Sequence, residues 1–235
     1  MTNSSRLNGN NTPVREPELV DPAPPTFGVR ALYAVCRFIA VGLSRMISPG
    51  RITGTENLPK TGAYVIAPLH RSHMDFLIVA RISRRRLRYL AKAEVWNHRR
   101  LGHFIERLGA MPVHREVADR DSFNRTLAVL NGGEPLMLFP EGTRKEGLEV
   151  QTLHDGAMFV AARTGAIVVP VGIGGSERAL PHGAKFPRPT KIRIIVGTPI
   201  SPPSSEGRVA RSTVTAKSEE LRVALEQLYH RSMGL

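Results

Sequence analysis

Two short segments hold the side chains best suited to chemistry. Leu69-His70-Arg71-Ser72-His73-Met74-Asp75-Phe76 offers an imidazole with a carboxylate five positions on. An unperturbed imidazole titrates at about 6.5, so it can take a proton from a hydroxyl at neutral pH. A carboxylate on the other ring nitrogen fixes the tautomer and stabilises the imidazolium formed in the transition state. The spacing ends a loop at His70 and puts Asp75 in the first turn of a helix, where the dipole also favours an anion. Ser72 is the candidate N-cap of that helix. His73 is two residues from Asp75 and on a helix would face elsewhere.

The second segment, Leu138-Phe139-Pro140-Glu141-Gly142-Thr143-Arg144, is a turn after an apolar run. Arg144 presents a planar fork suited to a phosphate, and Gly142 lets the backbone approach closely. Glu141 has three readings: a hydrogen bond to an acceptor hydroxyl, an orienter of Arg144, or a tie that holds the loop. By itself the segment is also an ordinary turn, since Pro and Gly mark turns everywhere. Between the two segments, Gly102 to Arg107 and Gly109 to Arg115 place Arg107 and Arg115 near one strand. Either could bind phosphate, cap a helix or pair with a Glu. No protein nucleophile is implied, because neither Ser72 nor Ser176 sits in a G-x-S-x-G turn and Cys36 lies outside the domain core. The simplest scheme is direct attack by an acceptor hydroxyl, deprotonated by His70, on an activated acyl carbonyl.

The elements that must position these residues alternate along the chain. Strand-like runs occur at 63–68, 87–91, 110–113, 135–139, 166–173 and 191–197, and helix-like segments at 74–82, 101–108, 119–131 and 155–163. Such alternation predicts an α/β fold with a mainly parallel central sheet flanked by helices. Both chemical segments follow directly on strands, and ligands of such sheets bind at the carboxyl ends of strands. A Pro/Ser loop at 201–207 precedes a closing amphipathic helix over 213–231 with Val214, Leu221, Leu225 and Leu228 inward.

The N-terminal part reads differently. Residues 1–26 are rich in Asn, Pro, Ser and Glu and are expected to be disordered. Residues 27–48 form an amphipathic helix, with Arg30, Arg37, Arg45 and Ser44 on about a third of the wheel. Leu32, Val35, Cys36, Ile39, Leu43, Met46 and Ile47 cover the opposite side. That pattern suits a helix lying in a membrane interface; the alternative is an apolar stripe packed on its own domain. The arginines interrupt any uncharged stretch near the roughly 20 residues a spanning helix needs. The rest, 49–235, is read as one catalytic domain.

Charge is the compositional outlier. Thirty-three Lys+Arg against twenty Asp+Glu give +13, which implies an anionic partner and says nothing about fold. From Arg81 to Arg115 there are ten Lys/Arg and two Glu, a run that is also compatible with a solvated face. With 6% aromatic residues and no helix-turn-helix or RNA-binding signature, no nucleic-acid partner is expected. A non-catalytic basic module and a thioesterase remain the readings from other classes. No residue cluster has metal-ligand spacing, so no metal or redox cofactor is expected. The single cysteine, Cys36, fits a reducing compartment, and the first twenty-five residues lack the apolar core of a secretory signal.

Taken together, His70-x-x-x-x-Asp75, Gly102 to Arg107, Phe139 to Arg144 and the Val169-Pro170 strand resemble the glycerolipid acyltransferase family that includes 1-acylglycerol-3-phosphate acyltransferases. The resemblance spans about His70 to Val171, nearly half of the chain. It implies transfer of a fatty acyl group from acyl-CoA or acyl carrier protein to lysophosphatidate, giving phosphatidate. It implies His70 as base and Asp75 as its orienter, with Arg107, Glu141, Gly142 and Arg144 binding the acceptor; Arg115 and Thr143 are further candidates for binding it. It also implies peripheral attachment to the cytoplasmic face of the cell membrane through residues 27–48. Pro68-Leu69-His70-Arg71-Ser72-His73-Met74-Asp75 looks closer to the glycerol-3-phosphate acyltransferase version of the block, so that acceptor or another lysophospholipid is the alternative. At His154-Asp155-Gly156 relatives often carry Lys before the Gly.

Overall fold

The computed structural model describes residues 25–114, 119–181, 183–184, 186–203 and 209–234. The elements are α1 (Phe27–Ile47), β1 (Gly50–Thr53), β2 (Tyr64–Pro68), α2 (Asp75–Val79), β3 (Arg88–Lys92), α3 (Arg99–Arg107) and β4 (Ala110–Val113), followed by α4 (Arg120–Asn131), β5 (Leu136–Met137), α5 (Gly156–Thr164), β6 (Ile167–Gly174), α6 (Ser176–Ala179), β7 (Ile192–Val196) and α7 (Arg211–Met233). The seven strands form one sheet in the order β1-β7-β6-β2-β5-β3-β4. All neighbours are parallel except β6 and β7, so the predicted mainly parallel α/β sheet is the observed one.

The central strands read as continuous apolar runs because both of their faces are covered. On β2, Val65, Ala67 and the following Leu69 pack against α4, α5 and α7 through Val129, Leu130, Met158, Ala161, Leu221 and Leu225. The alternate residues Tyr64 and Ile66 pack on the other face with Ile78 and Val79 of α2 and Val169, Val171 and Ile173 of β6. Each large side chain buried in this way contributes roughly 1.5–3 kcal/mol. Pro170 sits inside β6 at little cost, and the reason is positional. Its carbonyl accepts from Gly197, so its missing N–H falls on the β7 side, between the Val171–Val196 pairing and an isolated Val168–Ile200 bridge.

Several boundaries differ from the sequence expectation. The edge strand β1 was not expected; its residues are mostly exposed, and only pairing with β7 defines it. The expected strand over 135–139 shrinks to Leu136–Met137, since the ladder ends with Leu138 donating to the Ile66 carbonyl before the chain turns. Helix α2 covers five residues instead of 74–82, because Arg81 and Ile82 donate to carbonyls three residues back and tighten the last turn. Most of the segment read as disordered, and part of the loop at 201–207, lie outside the described residues.

Helix α1 is held by its polar side. Tyr33 Oη donates to the Arg85 carbonyl (3.3 Å), Arg37 Nε to the Ser83 carbonyl (2.8 Å), and Arg81 Nη1 to the Ser48 carbonyl beyond the helix end (2.8 Å). Ser44 is its one fully buried residue, while Phe27, Val35, Phe38, Ile39 and Met46 are more than half exposed. Tyr33, Arg37 and Ser44 therefore face the domain together with Leu32, Cys36, Ala40 and Ile47, while Arg30, Arg45 and much of the apolar arc face out.

All four tyrosines, Tyr33, Tyr64, Tyr89 and Tyr229, have phenols pushed up chiefly by burial, Tyr89 to about 12. Burial favours the neutral form, so this stabilisation is complete below the unfolded value of 10.0 and is lost as pH rises through the folded values. Urea unfolding should therefore show stability falling between about pH 10 and pH 12. Tyrosinate absorbance of the folded chain should develop at higher pH than that of the urea-unfolded chain; coincident titrations would contradict the burial.

Candidate active site

Parallel β2 and β5 are neighbours, so the loops leaving their carboxyl ends lie side by side although their motifs are about seventy residues apart. The first loop turns back on itself from His70 to Asp75. His70 Nδ1 is 3.0 Å from Asp75 Oδ2, which also accepts the backbone N–H of Arg71 and of Ser72 at 2.7 Å each. An oxygen that accepts two backbone donors and faces Nδ1 sets the ring proton on Nδ1, leaving the Nε2 lone pair unprotonated. Asp75 is fully buried, whereas the His70 side chain keeps 18% of its surface. Phe139 stacks on the imidazole with ring centroids 4.0 Å apart. Ser72 is not the N-cap of α2, which is Met74; its hydroxyl accepts from the Met74 N–H and donates to the Leu180 carbonyl after α6. His73 is exposed.

Glu141 is buried, and both of its oxygens are engaged by the first loop. Oε1 accepts from Arg71 Nη1 at 2.6 Å and Oε2 from the His70 N–H at 2.9 Å. Of the three readings of this residue, the geometry matches the tie that holds the loop. Arg71 further donates Nη2 to the Glu149 carbonyl (3.0 Å) and lies 5.2 Å over the Tyr229 ring of α7. Neither Arg71 nor Tyr229 was singled out in the sequence. The adjacency of Arg71 to His70 was the only signal, and it names no partner. Lys145 closes the loop pair by donating its N–H to the His70 carbonyl (2.9 Å).

Gly142 takes φ +69°, and a Cβ there would meet the His154 ring at 2.8 Å, so the turn needs glycine at this point. His154 in turn donates its N–H to the Pro140 carbonyl. Thr143 is exposed and Arg144 half-buried, and no hydrogen bond or ion pair among the described residues holds the Arg144 guanidinium. Arg107 precedes β4, so the parallel sense of that strand leaves it at the amino edge of the sheet, and the structure does not bring it together with the His70 loop. Arg115 follows β4 by two residues and lies outside the described residues.

Much of the basic run from Arg81 is spent on backbone. Arg85 donates to the Gly62 and Gly133 carbonyls, and Arg86 to the Glu106 and Arg107 carbonyls at the end of α3. At the end of α3 the guanidinium adds donors to the last carbonyls of the helix. Among the described residues no group of three or more His, Cys, Asp or Glu could hold a metal ion.

His70, Asp75, Glu141 and Arg144 all fall inside residues 50–174, which match the family described as Acyltransferase and make up more than half of the chain. The chain belongs to the Acyltransferase family. It is 27% identical over 179 residues to the 1-acyl-sn-glycerol-3-phosphate acyltransferase of Bacillus subtilis (strain 168), covering 76% of this chain and 87% of that protein. A lyso-ornithine lipid O-acyltransferase of Pseudomonas aeruginosa is 34% identical over 96 residues, 40% of this chain and 37% of that one. The crystal structure of the 1-acyl-sn-glycerophosphate (LPA) acyltransferase PlsC from Thermotoga maritima shares the fold, with a TM-score of 0.65 at 22% identity over 86% of this chain and 78% of that chain.

Within this acyltransferase, removing one partner of the buried Arg71–Glu141 pair leaves an uncompensated charge. Glu141→Ala should cost about 3–5 kcal/mol in the urea midpoint analysis. Arg144→Ala, at a guanidinium with no described partner, should change stability by less than about 0.5 kcal/mol. Equal stability of the two variants would contradict the structural role of Glu141.

Proposed function

We propose that this acyltransferase moves a fatty acyl group from acyl-CoA or acyl carrier protein to the free hydroxyl of 1-acylglycerol 3-phosphate, giving phosphatidate. The observation that carries this reading is the His70–Asp75 pair, whose open Nε2 lies in a loop joined directly to the one bearing Arg144. Nε2 takes the proton of the acceptor hydroxyl, whose oxygen attacks the thioester carbonyl. A C–O bond forms, the C–S bond of the tetrahedral intermediate breaks, and the proton passes from His70 to the departing sulfur. Asp75 keeps the ring oriented and stabilises the imidazolium between these steps.

Arg144 supplies the planar donor fork for the acceptor phosphate, with the Gly142-Thr143 backbone close by. Glu141 acts at one remove, by setting the main chain of His70. Relatives named as 1-acyl-sn-glycerol-3-phosphate acyltransferases, from Bacillus subtilis and from the Arabidopsis thaliana chloroplast, support the acceptor. The chain works at a membrane surface as a peripheral protein on the cytoplasmic face, with α1 outermost. Length and composition would also let α1 cross a membrane, but its ties to the Ser83–Arg85 loop favour the surface position.

The test follows free CoA release from palmitoyl-CoA with lysophosphatidate, glycerol 3-phosphate, lyso-ornithine lipid or no acceptor. Release should require lysophosphatidate, fall by roughly 10³-fold or more in His70→Ala and by roughly 10²–10⁴-fold in Asp75→Asn. Arg144→Ala should raise KM for lysophosphatidate more than it lowers kcat. Preference for another acceptor would replace the substrate and keep the chemistry; release without acceptor would make the chain a thioesterase.

A further inference from the structure

Exposed apolar side chains are not confined to α1. Phe38, Ile39 and Met46 of α1 are 79%, 60% and 74% exposed, and Phe76 of α2 is 48% exposed. On α3, Leu101 and Phe104 are 47% and 42% exposed. With Leu108 they are spaced three and four residues apart and so share one side of the helix. Leu108 and Phe76 line, with Tyr33, Cys36 and Ala40 of α1, a single apolar cavity of about 100 Å³. The α3 stripe is thereby continuous with the underside of α1.

The exposed charge of α1 and α3 is nearly all positive. Arg30 and Arg45 on α1 and Arg99, Arg100 and Arg107 on α3 are all exposed. The single acid of the two helices, Glu106, lies 3.7 Å from His103. An apolar stripe rimmed with arginine suits an anionic lipid surface, where side chains insert and guanidinium groups meet phosphates. A second copy of the same face would bring like charges together, which disfavours a symmetric dimer.

We propose that α3 is a second membrane-docking element: Leu101, Phe104 and the Arg99–Arg100 pair join the outer side of α1 and Phe76 in one surface that seats on an anionic bilayer. The proposal rests on the membrane-surface acyltransferase reading above and adds an orientation to it. One helix lying in an interface leaves the domain free to roll about its axis; a second line of contact fixes the roll. Phe76 is the neighbour of Asp75, so the fixed face lies beside the His70 loop.

Sedimentation of the full chain with phosphatidylglycerol/phosphatidylethanolamine vesicles, and with phosphatidylcholine vesicles, tests this. Leu101→Ser with Phe104→Ser should weaken binding to the anionic vesicles about tenfold or more, with an unchanged circular dichroism spectrum. Arg99→Glu with Arg100→Glu should lower binding to anionic but not to phosphatidylcholine vesicles. Val223→Ser, an exposed position on α7 across the sheet, should bind like the parent. Transfer to a short-chain, water-soluble acceptor should be equal in all of them. Unchanged vesicle binding by the α3 apolar variant would overturn the proposal. So would a lipid-free dimer that this variant converts to a monomer, because the face would then belong to a second copy. Binding through α3 without any acyl transfer would support the docking and overturn the activity.

Discussion

The geometry of the site depends on one buried ion pair, Arg71 with Glu141. Their side chains retain 1% and 0% of their surface, and the pair closes at 2.6 Å. Taking two charges out of water costs several kcal/mol per ion, and their attraction offsets this only when the remaining donors and acceptors are also placed. Here Glu141 also accepts the His70 N–H, and Arg71 also reaches the Glu149 carbonyl and the Tyr229 ring. The pair thereby joins the loop after β2, the loop after β5 and the closing helix α7. Its effect is positional: it determines where the His70 backbone stands, and with it where Nε2 points.

The net charge of +13 divides into groups with different work. At the amino edge of the sheet, Arg85 and Arg86 are bound to backbone carbonyls, and Arg37 and Arg81 moor α1. At the carboxyl edge, Arg144 is held by no described side chain. Around α1 and α3 the exposed arginines rim apolar residues. A guanidinium with five donors serves each of these uses, so composition cannot tell them apart.

Helix α1 shows how one pattern supports two placements. An amphipathic helix beside a domain can bury its apolar arc in the protein or present it to something else. Tyr33 and Arg37 give one side of the helix specific bonds to the domain and Ser44 is buried there, so the phenylalanines are left outward. The helix is attached by directional bonds as well as by packing, which leaves its outward apolar side for lipid.

What the sequence by itself determined was local and periodic. Apolar runs of strand length between helix-like segments were enough to predict the parallel sheet, and their ends marked the loops of His70 and Glu141. The five-residue interval from His70 to Asp75 was enough to bring the two side chains together, because one turn of chain separates them. The tertiary structure decided what depends on neighbours far along the chain. Strand sense placed Arg107 on the edge away from His70, pairing with β7 made Gly50–Thr53 a strand, and packing chose which arc of α1 faces out. Above all, Glu141 could have met a substrate, Arg144 or its own loop. Only the adjacency of β2 and β5 brought Arg71, seventy residues earlier, within hydrogen-bonding distance, and such long-range pairing leaves no periodic trace in the chain.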